Sequence, residues 1–476
     1  MKEFTVKRSV GIASAAALAL VLSACGGDTG TDTPADDDTG AAEETTEDAG
    51  DDEATTDEGT DDGEATTDEA PADSGLALPD LSGEELEVAA VWTGTEQERF
   101  TLVLNSFEEQ TGASIQYTST GDDIAPVLTP RVEGGNPPDV AFLPQPGLLN
   151  EFAGRDALQP VSADVEAAID ANYDTVWKDL GTVDGNLYGV WFKAANKSTI
   201  WYDVDAIDAA GVAEPATWDD LVANSQTISD SGVTPWSIAG ADGWTLTDWF
   251  ENVYLSQAGP EMYDQLTNHE IPWTDPSVEE ALNTLAEIWG ADGFVVDGAL
   301  QLDFPTSVTT VFSAGEAAMV YEGDFVAGVI SGETDAVVGE TANFFPFPAV
   351  GDAPAVVGGG DVAVAFTDTE ASMALMAYLA SPEAAEIWVA EGGFTSPNKS
   401  VDTALYPDDL SRGIAEGLIA AGDAFRFDMS DQMPSAFGGT PGQGMWQDLT
   451  DFLADPTDVQ GVMESLEANA SAAYGR

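Results

Sequence analysis

Three consecutive segments between residues 86 and 119 do most to restrict the fold. LEVAAVW (86–92) is strand-like, TGTEQERFTLVLNSFEEQTG (93–112) is helix-like, and ASIQYTS (113–119) is strand-like again. Within the middle segment Phe100, Val103, Leu104 and Phe107 fall at i, i+3, i+4 and i+7, which puts them on one helix face. Thr95 and Glu98 predict a capping box at the start, and Gly112 predicts the stop. A third strand is expected in PPDVAFLPQPG (137–147), bounded by prolines. Strands alternating with amphipathic helices imply an α/β layer architecture.

The pattern continues downstream. LYGVWFKAANKSTIWYD (187–203) reads as a long strand with a break at Ala194-Ala195-Asn196. Helices are expected near 217–230, 247–258, 277–290 and 325–331, and strands in AAMVYEG (317–323) and VVGGGDVAVAF (356–366). The last hundred residues read as mostly helical, and the folded part has no fixed-period repeat. About 400 residues after the acidic tract are too many for one core and enough for two lobes.

The N-terminus is of a different kind. Lys2, Lys7 and Arg8 precede an apolar run, Val10 to Leu22, that has the length of a secretory signal. At about 1.5 Å per residue it is short for a hydrocarbon core of about 30 Å. It ends in Leu22-Ser23-Ala24-Cys25, which resembles the bacterial lipoprotein box and implies cleavage before Cys25 and lipidation of its thiol. The alternative is a general secretory signal with a stray thiol. Cys25 is the single cysteine, so a lipidated mature chain would have no disulfide and no cysteine-based metal site. Residues 26–75 are dominated by Gly, Ala, Asp, Glu and Thr and contain no Lys or Arg. Such a segment buries too little apolar surface to offset its ordering entropy and is expected to be a spacer, reaching about 40 Å as a flexible coil. The expected organisation is a signal peptide at 1–24, a lipidated cysteine and acidic linker at 25–75, and one folded region at 76–476.

Charge narrows the function. Lys and Arg total 13 against 87 Asp and Glu, a formal charge of −74. That argues against nucleic acid and anionic membrane surfaces as partners, and it suits a saline habitat, where screening weakens self-repulsion. The single His269 lacks a second histidine at helical spacing, which excludes a zincin helix. DANYD (170–174) fails as a calcium loop, because Thr175 and Gly181 stand where Gly and Glu are required. GGGDV (358–362) lacks the spacing of a dinucleotide loop, and no Gly-x-Ser-x-Gly elbow or Walker loop is present. No metal and no cofactor is expected. Acids are so numerous that pairing two of them as a glycoside hydrolase has no specificity.

The tryptophans say more. Seven of them, from Trp201 to Trp289, crowd one stretch of under a hundred residues. Trp218, after the helix cap Thr217, and Trp289, on an apolar helix face, are expected in the core. Trp244 and Trp249 lie in ADGWTLTDWFENVY beside Asp248, where a loop enters a helix. A flat apolar face beside a carboxylate suits a sugar ring, but a core role for both indoles is equally open.

Several segments together carry a resemblance. VWTGTEQERF, VEGGNPPDVAFLPQPG, LYGVWFKAANKSTIWYD, TDWFENVYLSQAGPEMYDQLTNHEIPW, EGDF, GGGDVAVAF, YLASPEAAEIWVAEGGFTSPNKSV and RFDMSDQMP occur in this order. They resemble the carbohydrate-binding lipoproteins of ABC importers, in the α-glucoside branch of family 1 extracellular solute-binding proteins. The resemblance runs from about Leu86 to the C-terminus. One departure is local: no cysteine-containing stretch precedes FFPFP (344–348).

The resemblance implies an α/β, two-lobe periplasmic-binding-protein-like fold of type II, with a hinge, an interlobe ligand cleft and C-terminal helices. Lobe one would span about 80–194 plus 361–396, and lobe two about 200–357 plus 400–476. Crossings would fall near Phe192–Thr199, Val357–Val364 and Gly393–Val401. The implied cleft residues are Trp92, Thr93 and Glu96 after the first strand, Asp122 and Gln145 after the next two, and Lys193 at the hinge. Trp244, Asp248, Asp324, Asp361, Arg426 and Trp446 complete the set. The implied protein is a non-enzymatic monomer held outside the membrane by its lipid, which captures an α-glucoside or small oligosaccharide and delivers it to the transmembrane subunits of an ABC permease. A secreted glycoside hydrolase with an acid pair, and a receptor caging a quaternary-ammonium osmolyte between Trp rings, are the alternatives.

Overall fold

The computed structural model describes residues 77–351, 356–420 and 425–475. The signal segment, Cys25 and the acidic linker lie outside the described residues. No described helix is long and apolar enough to cross a membrane.

Twelve strands are present among the described residues. They are β1 (Glu85–Ala90), β2 (Ser114–Ser119), β3 (Val140–Leu143), β4 (Thr182–Val183), β5 (Asn186–Leu187) and β6 (Gly189–Asn196), then β7 (Thr199–Asp203), β8 (Thr234–Ser237), β9 (Ala317–Glu322), β10 (Ala342–Pro346), β11 (Val356–Ala365) and β12 (Phe425–Phe427). They build two main sheets. The first has the order β12-β11-β3-β1-β2, with β6 also paired to β11, and the second has the order β10-β7-β9-β8. β1 runs parallel to β2 and β3, while β11 is antiparallel to β3 and β6.

Each sheet has its own core. Val88, Ala89, Phe142 and Val364 meet Phe100, Val103, Leu104 and Phe107, all 3 % exposed or less, under the first sheet. Met319 and Tyr321 meet Trp236, Trp249, Leu282 and Leu449 under the second. The helix over the first core spans Gly94–Thr111 and buries the apolar face that its spacing predicts. Its N-cap is Thr93, with no side-chain cap bond, so the predicted Thr95–Glu98 capping box does not form. Gly112 ends it in the left-handed conformation, as expected. The predicted box-type cap appears instead at Thr217 and Asp220, which open the helix Trp218–Asp230.

Two readings of the sequence change. The break in the 187–203 run falls at Lys197 and Ser198, because Ala194 and Ala195 stay paired with Gly360 and Gly359 of β11. The chain leaves the first sheet there and enters the second as β7. The stretch after residue 400 is also divided: β12 pairs in parallel with β11 and so extends the first sheet, whereas the helices Gly444–Ala454 and Val459–Ala473 pack on the second core.

Candidate functional site

The chain ends of both sheets converge on one cavity of about 390 Å³. Trp92 and Thr93 follow β1, Asp122 follows β2, and Gln145 follows β3. Asp242 and Trp244 come after β8, and Phe325 after β9. Open α/β sheets bind ligands beyond the carboxyl ends of their strands, because helix starts and loops gather there while the strands hold them rigid.

The floor is made by β6 and β11. Their register slips between Asp361 and Val362, so that Asp361 pairs with Lys193 while Val362 pairs with Trp191. Phe192 is the extra residue of a bulge, which re-aims side chains where pairing would otherwise run on. Lys193 and Asp361 then share the cavity face. Lys193 is 4 % exposed, donates from Nζ to Glu96, and lies 5.4–5.9 Å from the Trp92, Phe325 and Trp388 ring centres. Burial works against its ammonium, but Glu96, Asp361 and Asp324 outweigh it and hold its pKa above the usual lysine value. Burial pushes Asp361 up to about 6, moderated by Lys193 and by a hydrogen bond from the Trp92 indole.

The opposite wall is built by the start of the helix Trp244–Thr267. Its N-cap Gly243 has φ of 77°, and a Cβ there would stand 2.7 Å from the Cβ of Trp446. Only glycine lets Trp244 and Trp446 share this wall. The Trp244 ring packs against Phe304 and Phe325 at 5.5 and 5.9 Å between centroids, and its indole hydrogen-bonds Asp122 across the cavity. Asp122 keeps its own solvent access at the rim, yet desolvation by the facing wall, then Asp242, Asp123 and Asp303, push it up to about 7. Asp242 is pushed up to about 6 by burial and Asp303, against a hydrogen bond from the Phe304 N–H.

Nine of the twelve residues singled out in the sequence line the cavity: Trp92, Thr93, Glu96, Asp122, Gln145, Lys193, Trp244, Asp361 and Trp446. Three do not. Asp248 is fully buried behind the wall and pairs with Lys197 at 3.2 Å. Asp324 is buried at the crossing, where its N–H donates to the Asn196 carbonyl and its carboxylate accepts from Thr395. Arg426 lies on β12 and pairs with Asp264 at 2.8 Å. Trp249, left open between sugar and core, is 1 % exposed and packs edge-on to Trp236 and Tyr321, so it is core. Trp218 and Trp289 are core as well.

The sequence reading missed Asp242, Phe304 and Phe325 of this lining and, above all, Lys197. Strand periodicity could have found it, since Lys193, Ala195 and Lys197 alternate onto one face and all three line the cavity. Its Nζ lies 2.5 Å from Asp428, 3.2 Å from Asp248 and 3.7 Å from Asp431, and 5.7 Å from the Trp244 ring centre. Burial opposes its charge, but these carboxylates raise its pKa well above the lysine norm. Against the cost of burial, Lys197 pulls Asp428 down to about 2. Burial, with repulsion from Asp428 and Glu322, drives Asp248 well up against the pull of Lys197. Carboxylate oxygens of Asp248, Glu251 and Asp428 lie within 4.8 Å of one another, a spacing that could suit a metal. Here the Lys197 ammonium is the cation. Glu251 is also occupied, accepting from the Met429 and Ser430 N–H groups and from the Tyr263 hydroxyl.

Comparison with known proteins agrees with this geometry. Residues 90–386 match the family model for bacterial extracellular solute-binding proteins. The osmoprotective compounds-binding protein GgtB of Synechocystis is 36 % identical over 406 residues, covering 81 % of this chain and 94 % of that one. The alpha-glucosides-binding periplasmic protein AglE of Rhizobium meliloti is 33 % identical over 393 residues, covering 79 % and 84 %. Among solved structures, the solute receptor AcbH superposes with a TM-score of 0.71 at 19 % identity, covering 82 % of this chain and 99 % of that one. The binding protein RafE in complex with raffinose gives 0.69 at 18 % identity, with coverage of 82 % and 99 %. At such identity these two show the fold alone, an α/β fold of two lobes. Sequence family and fold agree: the chain belongs to the bacterial extracellular solute-binding proteins, which hold a solute outside the cytoplasm and do not transform it.

Proposed function

We propose that this protein is the sugar-capturing component of an ABC importer and that its ligand is a small α-glucoside. The observation that carries this reading is the cavity lining. Aromatic faces from Trp92, Trp244, Phe304, Phe325 and Trp446 alternate with carboxylates from Glu96, Asp122, Asp242 and Asp361. Pyranose rings present apolar C–H faces to aromatic rings and hydroxyl hydrogens to carboxylates, so both halves of the lining have a use. A cavity of about 390 Å³ falls in the range that encloses small ligands. The α-glucoside assignment draws support from the relative AglE. In this reading the cleft residues are the nine that line the cavity together with Lys197, Asp242, Phe304 and Phe325. The lobes would close around the sugar and present it to permease subunits, with Cys25 and the acidic spacer tethering a monomer to the membrane.

A second reading has one specific support, the osmoprotectant-binding relative GgtB. Isothermal calorimetry with trehalose, sucrose, maltose, glycine betaine and choline separates the two. Binding of a glucoside, with recovery of intact sugar, supports the proposal. Binding of betaine or choline and of no glucoside replaces it with an osmolyte receptor.

A further inference from the structure

Two lysines are the cationic side chains in the cavity lining, and both are engaged by protein carboxylates. Lys193 is held by Glu96, with Asp361 beside it. Lys197 is held by Asp428 and Asp248, with Asp431 at 3.7 Å. Two of the lining indoles are engaged in the same way, Trp92 on Asp361 and Trp244 on Asp122, whereas Trp446 Nε1 is buried without a hydrogen-bond partner. One helix start at the cavity, a place that otherwise attracts anions, is occupied too. Asp242 accepts from the Phe304 N–H at 2.6 Å, and Asp303 accepts from the Thr306 N–H at 2.9 Å, at the start of the helix Phe304–Phe312. The helix Gly94–Thr111 carries Glu96 in its own first turn. At the outer end, Asp122 faces Asp242 and Asp303 across the cavity, and the groups acting on it are acids and the Trp244 indole.

We infer that this cavity selects its ligand by charge and donor count: it takes uncharged, hydroxyl-rich glycosides or polyols and rejects anionic sugars such as uronates and sugar phosphates. This rests on the sugar-binding reading above and adds a rule within it. Ionised carboxylates accept hydrogen bonds and donate none. A lining dominated by them, with both its lysines already engaged, favours ligands that bring their own donors. Each free hydroxyl supplies one. A ligand carboxylate or phosphate supplies none, and it adds a like charge to a confined acidic space, where such juxtaposition is costly.

The test is a calorimetric series at pH 8. Trehalose, sucrose, maltose and methyl α-glucoside are each compared with the counterpart that carries a carboxylate in place of a C6 hydroxymethyl. The pair differs little in size, so shape is held nearly constant. The expected result is a neutral ligand that binds about 100-fold or more tighter than its uronate. The Asp122→Asn, Asp242→Asn, Asp303→Asn variant is expected to narrow that ratio to less than about tenfold. A uronate that binds as tightly as its neutral partner overturns the charge rule and leaves the glucoside reading standing. A ratio unchanged in the triple variant assigns the discrimination to shape and also overturns the rule. If neither neutral nor anionic glucosides bind, both readings fail together.

Discussion

Trp244 and Trp218 are both aromatic residues near the start of a helix, yet their substitution should have opposite consequences. Trp218 is 4 % exposed in the second core, so Trp218→Ala should lower stability by about 3–5 kcal/mol in urea melts. Trp244 faces the cavity. Trp244→Ala should leave the melt within about 1 kcal/mol of wild type and weaken glucoside binding by about 1–3 kcal/mol, roughly five- to 150-fold. Equal destabilisation by both would make Trp244 structural. Lys197 belongs to a third class. Lys197→Met strands Asp428 and Asp248 as buried carboxyls without their cation, and should cost about 3–5 kcal/mol of folding stability in the same melts. Asp248 was read from sequence as a cleft residue, but it is fully buried on the far side of Lys197. Asp248→Ala should therefore lower the melting temperature and not act on binding alone.

The strand β11 shows how an element is shaped by what it approaches. Gly358, Gly359 and Gly360 give this apolar strand its glycine start. A Cβ at Gly360 would stand 2.5 Å from the Lys193 carbonyl oxygen of β6. Backbone cannot yield as a long side chain does, so Gly360→Ala should push β6 and β11 apart at the bulge that aims Lys193 and Asp361. The expected cost is about 1–3 kcal/mol of stability. It should be accompanied by loss of ligand binding even where the variant remains folded by circular dichroism. Intact binding in a folded Gly360→Ala protein would show that the cavity floor tolerates the displacement.

At the scale of the whole molecule, closing two acid-bearing lobes on one another is linked to protons. With the two walls facing each other as in this structure, Asp122 rises to about 7 and Asp242 to about 6, against an ordinary aspartate value of 3.8. A carboxyl whose pKa is raised binds more protons in the closed form between roughly pH 4 and pH 7. Closure is therefore favoured on the acid side of that window and disfavoured as pH rises through it. Ligand affinity should increase as the pH is lowered from 8 to 6, and Asp122→Asn should flatten the dependence because the amide does not titrate. An affinity that rises with pH would contradict this sign. Because Asp122 sits at the solvent-exposed rim, the dependence should also weaken at high salt.

What the sequence determined by itself was periodic. The apolar face of Phe100, Val103, Leu104 and Phe107, the stop at Gly112 and the alternation of strands with helices are written in spacings of 3.6 and 2. Local spacing survives folding because the residues that set it stay neighbours. That Trp92, Asp122 and Gln145 belong to the cavity was implied by the family resemblance and not by spacing. Only the tertiary structure decided how far each polar group lies from its partners. Lys193 and Lys197 are equally plain as letters, and so are the acids Asp248 and Asp361. Asp361 reaches the cavity through a one-residue bulge, whereas Asp248 is turned inward on the helix that begins at Trp244 and pairs with Lys197 from the crossing between the two sheets. Burial and pairing are sums over residues far apart in the chain, and no window of sequence contains them.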